Sequence, residues 1–235
     1  MGAHNSEVST ERKSVSECVL GRRSTRAFLP DHVERRTVEE MLALAARAPS
    51  GGNLQPWRVD VLTGEPLAAL KAAALASLAA DAAGEGIEFT IYPSPLPEPY
   101  RGRRFDSGEA LYRTLGLERE DRSGRLAQFA RNYDFFGAPV AVFFSIDRLF
   151  DRPQWAHLGM FMQNFMLLAE ERGLATCPQE AWAAVHKTVE RHLDLPANRV
   201  FYCALALGKA DPDAPVNSLR TERASVADFA TLRGF

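Results

Sequence analysis

The chain is poor in cysteine. Its 235 residues include three, Cys18, Cys177 and Cys203, which are widely spaced and odd in number. This pattern fits neither a disulfide framework nor a cysteine-rich zinc site. We therefore expect a reducing, cytoplasmic location.

An excess of basic charge and a long apolar run are also missing. The 28 lysines and arginines are balanced by 30 acidic residues, giving a formal net charge of −2 at pH 7, whereas nucleic-acid-binding proteins usually carry a basic excess. No apolar run reaches the roughly 20 residues that span a bilayer. We expect no nucleic-acid partner, no membrane partner, a disordered N-terminus over residues 1–13 and a single domain over residues 14–235.

Common catalytic motifs are absent as well. No Gly-x-Gly-x-x-Gly follows a strand, and the chain has no phosphate-binding P-loop and no Gly-x-Ser-x-Gly. His186 and His192 lie six residues apart on one predicted helix, and we find no further ligand at metal spacing around them. We expect no metal site.

Apolar periodicity and capping residues predict a mixture of helices and strands. Capping boxes at residues 14–17 and 37–40 open two helices, which end at Gly21 and Pro49. Further helices are predicted over residues 67–83, 128–136, 155–173 and 182–193. Alternation predicts a half-buried strand over residues 57–61, and continuous apolar runs predict buried strands over residues 140–146 and 200–207. Residues 91–121 are predicted to form an irregular excursion, which could be a lid with a helix inside it.

The predicted helix at residues 155–173 is apolar nearly all round, because methionine, phenylalanine and leucine occupy every face of it. Such a helix is expected to be buried on all sides. Two interpretations stay open, a central core helix or a helix shared with a second subunit.

Two short stretches are candidates for ligand binding. "GRRSTRAF" places Arg22, Arg23, Ser24 and Arg26 just after a helix end, and such fork-shaped donors suit a phosphate. A solvated basic turn is the alternative. "APSGGNLQPW" combines two glycines, which allow close backbone approach, with two amides that would point the same way in an extended segment. A polar loop whose amides bind nearby backbone is an equal alternative.

In this order, the two stretches resemble the FMN-dependent nitroreductase family. Further blocks resemble the family in its order, namely "RNYDFFGAPV", "HLGMFMQNFMLLAEERGLATCPQEAW" and "FYCALALGKADPDAPVNSLRTER". The resemblance covers nearly everything from Ser14 to the C-terminus. Within the family, the chain is most similar to the bacterial branch that reduces nitroaromatics such as nitrobenzoates.

The resemblance implies a set of FMN-binding residues. Arg22, Arg23, Ser24, Arg26 and Arg223 would hold the ribityl phosphate. Residues along the flavin would be Pro49, Ser50, Asn53 and Gln55. Gln128 and Asn132 would read the pyrimidine edge, although an ordinary polar helix surface is a serious alternative for this pair. Backbone N–H groups at Pro178, Gln179 and Glu180 would face the N5 and O4 edge.

The resemblance also implies the α+β nitroreductase fold, with a mostly antiparallel central sheet wrapped by helices, in a homodimer that holds FMN at its interface. NADH or NADPH would donate a hydride to FMN, and a nitroaromatic or similar electron acceptor would then be reduced in a ping-pong scheme, without a catalytic side chain. Other chemistry on this scaffold (reductive dehalogenation, enone or azo reduction, flavin destruction) remains an alternative. So do a non-enzymatic FMN-binding sensor and, without the resemblance, a helical interaction domain.

Overall fold

A computed structural model describes residues 12–235. The predicted disorder of residues 1–13 falls mostly outside this range. The α-helices are α1 (Val15–Gly21), α2 (Arg35–Ala45), α3 (Gly64–Ala80), α4 (Tyr100–Thr114), α5 (Arg122–Ala130), α6 (Arg152–Glu171), α7 (His186–His192) and α8 (Val226–Phe229). The strands are β1 (Trp57–Thr63), β2 (Val140–Asp147), β3 (Ala175–Gln179) and β4 (Arg199–Gly208). Short 3-10 helices cover Gly51–Asn53, Arg131–Gly137, Glu180–Val185 and Pro215–Ser218.

The four strands form one sheet in the order β1-β2-β4-β3, and every neighbouring pair is antiparallel. The predicted α+β fold with an antiparallel central sheet is therefore confirmed. Strand β3, which contains Pro178, is absent from the sequence-based prediction. Among the strands within residues 12–235 it pairs with β4 alone and so lies at the sheet edge, where a residue without an N–H is tolerated.

Both faces of the sheet are covered, and this explains the continuous apolar runs of β2 and β4. Val142 and Phe144 of β2 point into a core shared with α2 and α6. Ala141 and Phe143 point to the opposite face, into a core shared with α3, α7 and the Arg131–Gly137 turn. Because successive strand residues alternate between faces, a strand between two cores is apolar at every position.

Several predicted helix boundaries are wrong. Helix α2 begins at Arg35, before the predicted capping box, and exposed ion pairs from Arg35 to Glu39 and from Arg36 to Glu40 lie along its first turns. The excursion at residues 91–121 contains the whole of α4. The predicted helices at residues 128–136 and 182–193 are each a 3-10 helix joined to an α-helix.

Helix α6 is buried on one side only within the single chain. Leu158, Phe161 and Phe165 are buried in the core, whereas Met160 is 45% exposed. The expectation of burial on all sides is thus wrong for the isolated chain, and the outward side of α6 is apolar surface. No helix within residues 12–235 has both the length and the apolar character to cross a membrane.

A substitution at Gly84 tests whether the segment after α3 packs against the Glu180–Val185 3-10 helix. Gly84 has a φ of +79°, and a Cβ there would collide with the backbone carbonyl oxygen of Ala184, which accepts from the amide of Glu85 at 2.7 Å. We expect Gly84→Ala to lower the free energy of unfolding by about 2–4 kcal/mol, from left-handed strain and the collision together.

Gly86→Ala is the matched control. Gly86 has a φ of +91° and nothing within 4 Å of an added Cβ, so only the strain remains, about 1 kcal/mol. Chemical denaturation of both variants measures the difference. Equal losses of stability would show that the segment does not dock on the Ala184 carbonyl.

Candidate functional site

The first part of the site is the segment that follows α1. Helix α1 ends at Gly21, and the chain then runs beside β3, where the amide of Thr25 donates to the carbonyl of Thr176 at 3.0 Å. Ser24 forms a parallel bridge with Thr176 at the same point. The sheet edge therefore fixes the backbone that carries Arg22, Arg23 and Arg26.

The C-terminal segment returns to this place. Asn217 is 5% exposed, and its Oδ1 accepts from the amide of Arg26 at 2.8 Å while its Nδ2 donates to the carbonyl of Ala27 at 2.8 Å. The residues that follow include Arg220 and Arg223. Burial is the larger cause that lowers the pKa of Arg22 and Arg23, and the charges of Arg223 and Arg220 respectively lower it further.

Arg22, Arg23, Arg26, Arg220 and Arg223 are called the arginine cluster below. Within residues 12–235, none of the five forms an ion pair with a carboxylate. The acidic side chain of Glu170 is close enough to favour charged Arg22 and Arg23, but Lys13 already binds it at 2.6 Å.

One atom of the cluster points most directly to a ligand. The Nε of Arg23 is buried and has no hydrogen-bond partner among the described residues. A buried donor without a partner is costly, and gathered positive charge favours an anion with several oxygen acceptors. The arrangement therefore suits an anion with several oxygen acceptors.

Three residues further along β3 lies a second polar group. The Nε2 of Gln179 donates to the backbone carbonyl of Asn132 at 2.8 Å and to its side-chain oxygen at 3.1 Å. The Oε1 of Gln179 and the Nε2 of Gln128 are buried without hydrogen-bond partners. From Thr176 to Gln179 the strand advances about 10 Å, so the unpartnered Gln179 Oε1 lies three residues along β3 from the point where the arginine-bearing segment bridges the strand.

Pro178 and Glu180 flank Gln179. Pro178 is half-buried on β3 opposite Leu205, and Glu180 begins the 3-10 helix that follows the strand. Burial raises the pKa of the Glu180 carboxyl, and a hydrogen bond with Tyr202 opposes that rise. Burial also raises the pKa of Tyr202, to about 12, so the phenol stays protonated and donates to Glu180.

The loop at residues 49–55 has a different conformation from the one expected. Asn53 and Gln55 have φ values of +54° and +49°, and the Oγ of Ser50 accepts from the amide of Gln55 at 3.0 Å. The loop is a tight turn, so the prediction of an extended segment with parallel amides is wrong. Pro49, Asn53 and Gln55 are exposed and Ser50 is half-buried.

This loop lies far from the arginine cluster of its own chain. A Cβ on Gly51 would lie 3.4 Å from the ring of His157, near the start of α6, whereas a Cβ on Gly21 would touch Glu170, near its end. Thirteen residues of helix separate these contacts, which is about 20 Å. The single chain therefore brings the arginine cluster close to the Gln179 group but does not bring the loop to it.

Tyr100, Phe135 and Trp182 are aromatic residues of a kind that can line a substrate pocket, and they differ in burial. Phe135 and Trp182 are fully buried and stack with ring centroids 4.5 Å apart, so both belong to the core. Tyr100 is 58% exposed at the start of α4.

Sequence reasoning missed Arg220 and Asn217. Arg220 lies three residues before Arg223 in "NSLRTER", and this spacing was a usable signal for a second returning arginine. Asn217 has no such signal, because its role depends on hydrogen bonds to residues about 190 positions earlier in the chain.

The nitroreductase family model matches residues 19–209, a range that includes both polar groups of the site apart from the C-terminal arginines. The chain belongs to the nitroreductase family.

Curated relatives and solved structures resemble the chain over most of its length. It is 38% identical to a 4-nitrobenzoate reductase of Pseudomonas putida, over 92% of this chain and 94% of that one. It is 40% identical to a 4-nitrobenzoate reductase of Nocardioides, over 91% and 87%. The crystal structure of the FMN and NADPH-dependent nitroreductase NfnB from sphigopyxis sp. strain HMH is 44% identical, with a TM-score of 0.93 over 95% of this chain and 100% of that one.

Proposed function

We propose that this chain is an FMN-dependent oxidoreductase that uses NADPH or NADH to reduce nitroaromatic compounds. The arginine cluster with its buried, unpartnered Arg23 Nε carries the proposal, together with the Gln179 group, which lies three residues along β3 from the bridge between Ser24 and Thr176. A phosphate at one end and a hydrogen-bonding ring at the other are the two ends of FMN. The nitroreductase relatives support the same reading.

The arginine cluster would hold the FMN phosphate. Arg22, Arg23, Arg220 and Arg223 supply charge-assisted donors, and Ser24 adds a hydroxyl beside them. Burial raises the pKa of the Cys177 thiol to about 11, although Arg26 and Arg22 oppose the rise. The thiol therefore stays protonated and uncharged. The guanidinium groups would bind the phosphate.

The Gln179 group would orient the flavin ring. Gln128 and Gln179 each have a buried amide atom without a partner, and Asn132 is held beside Gln179. The backbone at Pro178, Gln179 and Glu180 would face the reacting edge of the ring. When bound, FMN supplies the hydride and electron transfer between NAD(P)H and the acceptor, and the protein supplies position and electrostatics.

The acceptor class follows from the relatives. Two of them are named 4-nitrobenzoate reductases, so we propose a nitroaromatic substrate, with a nitrobenzoate as the first compound to test. NADPH is the first donor to test, because the solved relative is described as NADPH-dependent. We also propose a cytoplasmic location, which suits three free cysteines.

A homodimer would complete the site. Pro49, Ser50, Asn53 and Gln55 lie about 20 Å along α6 from the arginine cluster of their own chain, so they would reach the FMN held by a second copy. Exposed apolar side chains surround the outward side of α6, at Val19, Leu20, Leu44, Leu54 and Met160. A second copy of the chain would cover them, because a contiguous exposed apolar surface favours association with another protein surface. Residues 14–235 would act as one domain in each copy.

The activity is tested with purified, FMN-loaded protein. We expect 4-nitrobenzoate to accelerate NADPH or NADH oxidation, measured as loss of absorbance at about 340 nm, at least tenfold over the rate without acceptor. A quinone, a halogenated phenol and an enone form the comparison panel. Faster turnover of a halogenated phenol or an enone would favour the alternative chemistry, and bound flavin without any NAD(P)H oxidation would favour a sensor.

The dimer is tested by light scattering. We expect a mass of twice the 26.0 kDa chain for the wild type, and Met160→Glu to shift the population towards the monomer because it places a charge on the proposed interface. Leu75→Glu is the control, since Leu75 is 48% exposed on α3, across the sheet from α6. A monomeric wild type that binds FMN fully would contradict the shared site.

A further inference from the structure

A second cluster of polar side chains lies away from the flavin site. Glu88 belongs to the segment between α3 and α4, and His186 and Glu190 lie one turn apart on α7. Each offers one ligand atom, and the three atoms lie within 4.8 Å of one another. Sequence reasoning missed this set, because the four-residue spacing from His186 to Glu190 was overlooked and Glu88 is distant in sequence.

His186 is oriented for ligation. The residue is 7% exposed, and its Nδ1 lies 3.2 Å from the carbonyl oxygen of Ala183. A carbonyl only accepts, so Nδ1 carries the proton in this contact and Nε2 keeps its lone pair in the neutral ring. Metal-binding histidines in proteins are commonly fixed in this way, with one ring nitrogen donating to a backbone carbonyl.

The carboxylates of Glu88 and Glu190 share one positively charged partner. Arg148 binds Glu88 at 2.7 Å and lies 3.9 Å from Glu190, so one guanidinium serves both. The Oε1 of Glu190 is buried and has no hydrogen-bond partner among the described residues. Burial, and then the charge of Glu88, raise the pKa of Glu190.

Glu85 and Arg191, two other charged residues in this region, already have partners. Glu85 accepts from the Thr188 amide at 2.9 Å and from Ser77 at 3.0 Å, and Arg191 lies 3.7 Å from Glu85. Neither supplies charge to Glu190. The ligand atoms of Glu88, His186 and Glu190, all within 4.8 Å of one another, therefore suit a small cation that takes one nitrogen and two carboxylate ligands.

We propose that Glu88, His186 and Glu190 bind a first-row divalent metal ion such as Zn²⁺. One imidazole with two carboxylates is a donor set that zinc accepts, with water completing the coordination, and the imidazole disfavours Mg²⁺ and Ca²⁺, which take oxygen ligands. The ion would join the segment leading into α4 to helix α7.

The test is calorimetric titration of FMN-loaded protein, freed of metal by chelator and dialysis, with ZnCl₂ and separately with MgCl₂. We expect one Zn²⁺ per chain at micromolar or tighter affinity and no saturable Mg²⁺ binding. Glu190→Gln and Glu88→Gln are expected to weaken Zn²⁺ binding at least tenfold, since each removes a charged ligand while keeping the side-chain shape.

His192→Ala is the matched control, because His192 lies on the same helix, is exposed and stands outside the cluster. Its affinity for Zn²⁺ is expected to match that of the wild type. Thermal unfolding and flavin content show whether each variant is folded.

The proposal is overturned if the wild type shows no saturable Zn²⁺ binding, or if folded Glu190→Gln binds as tightly as the wild type. It is also overturned if His192→Ala alone abolishes binding, which would place the metal at the surface. Metal binding is read independently of turnover, so it stands or falls separately from the proposed activity.

Discussion

Positive charge gathered in a partly buried place is the constraint around which the proposed site is built. Burial, and then the charges of Arg223 and Arg220, lower the pKa of Arg22 and Arg23 respectively. Two fixed backbones hold these like charges together, the segment hydrogen-bonded to the edge of β3 and the C-terminal segment fastened by Asn217. An anion bound between them would relieve the repulsion and accept a hydrogen bond from the buried Arg23 Nε. The fold would thus preorganise the proposed phosphate site at a cost in folding stability.

The sheet links this phosphate site to the rest of the proposed flavin site. Strand β3 carries Thr176, which positions the arginine-bearing segment, and Gln179, which reaches Asn132, so one short edge strand sets the distance between the two. Strand β3 pairs with β4, which lies between two buried cores, so the sheet positions both residues. The loop at residues 49–55 lies at the other end of α6, and only a second copy of the chain would bring such a loop to the same ligand.

Much of this arrangement could be predicted from the sequence, and the failures have physical causes. Apolar runs predicted β2 and β4 because both faces are buried, and the antiparallel fold followed from the family resemblance. Strand β3 was missed because it is short and contains Pro178. The loop around Asn53 was expected to be extended, yet its left-handed residues make a tight turn. The roles of Asn217 and Glu88 depend on contacts distant in sequence, which no local pattern reveals, whereas the four-residue spacing from His186 to Glu190 was a local signal that was overlooked.

The central claim is that the arginine cluster recognises the phosphate of FMN, and the most direct measurement compares two ligands that differ in that group. Apoprotein is titrated with FMN and with riboflavin, which lacks the phosphate, and binding is followed by flavin fluorescence. FMN is expected to bind at least about 100-fold more tightly than riboflavin, as charge-assisted hydrogen bonds of about 1.5–3 kcal/mol each allow. The preference should shrink to about tenfold or less in Arg23→Ala and Arg220→Ala and persist in the exposed control Arg36→Ala. Equal affinities for FMN and riboflavin in the wild type would contradict the account.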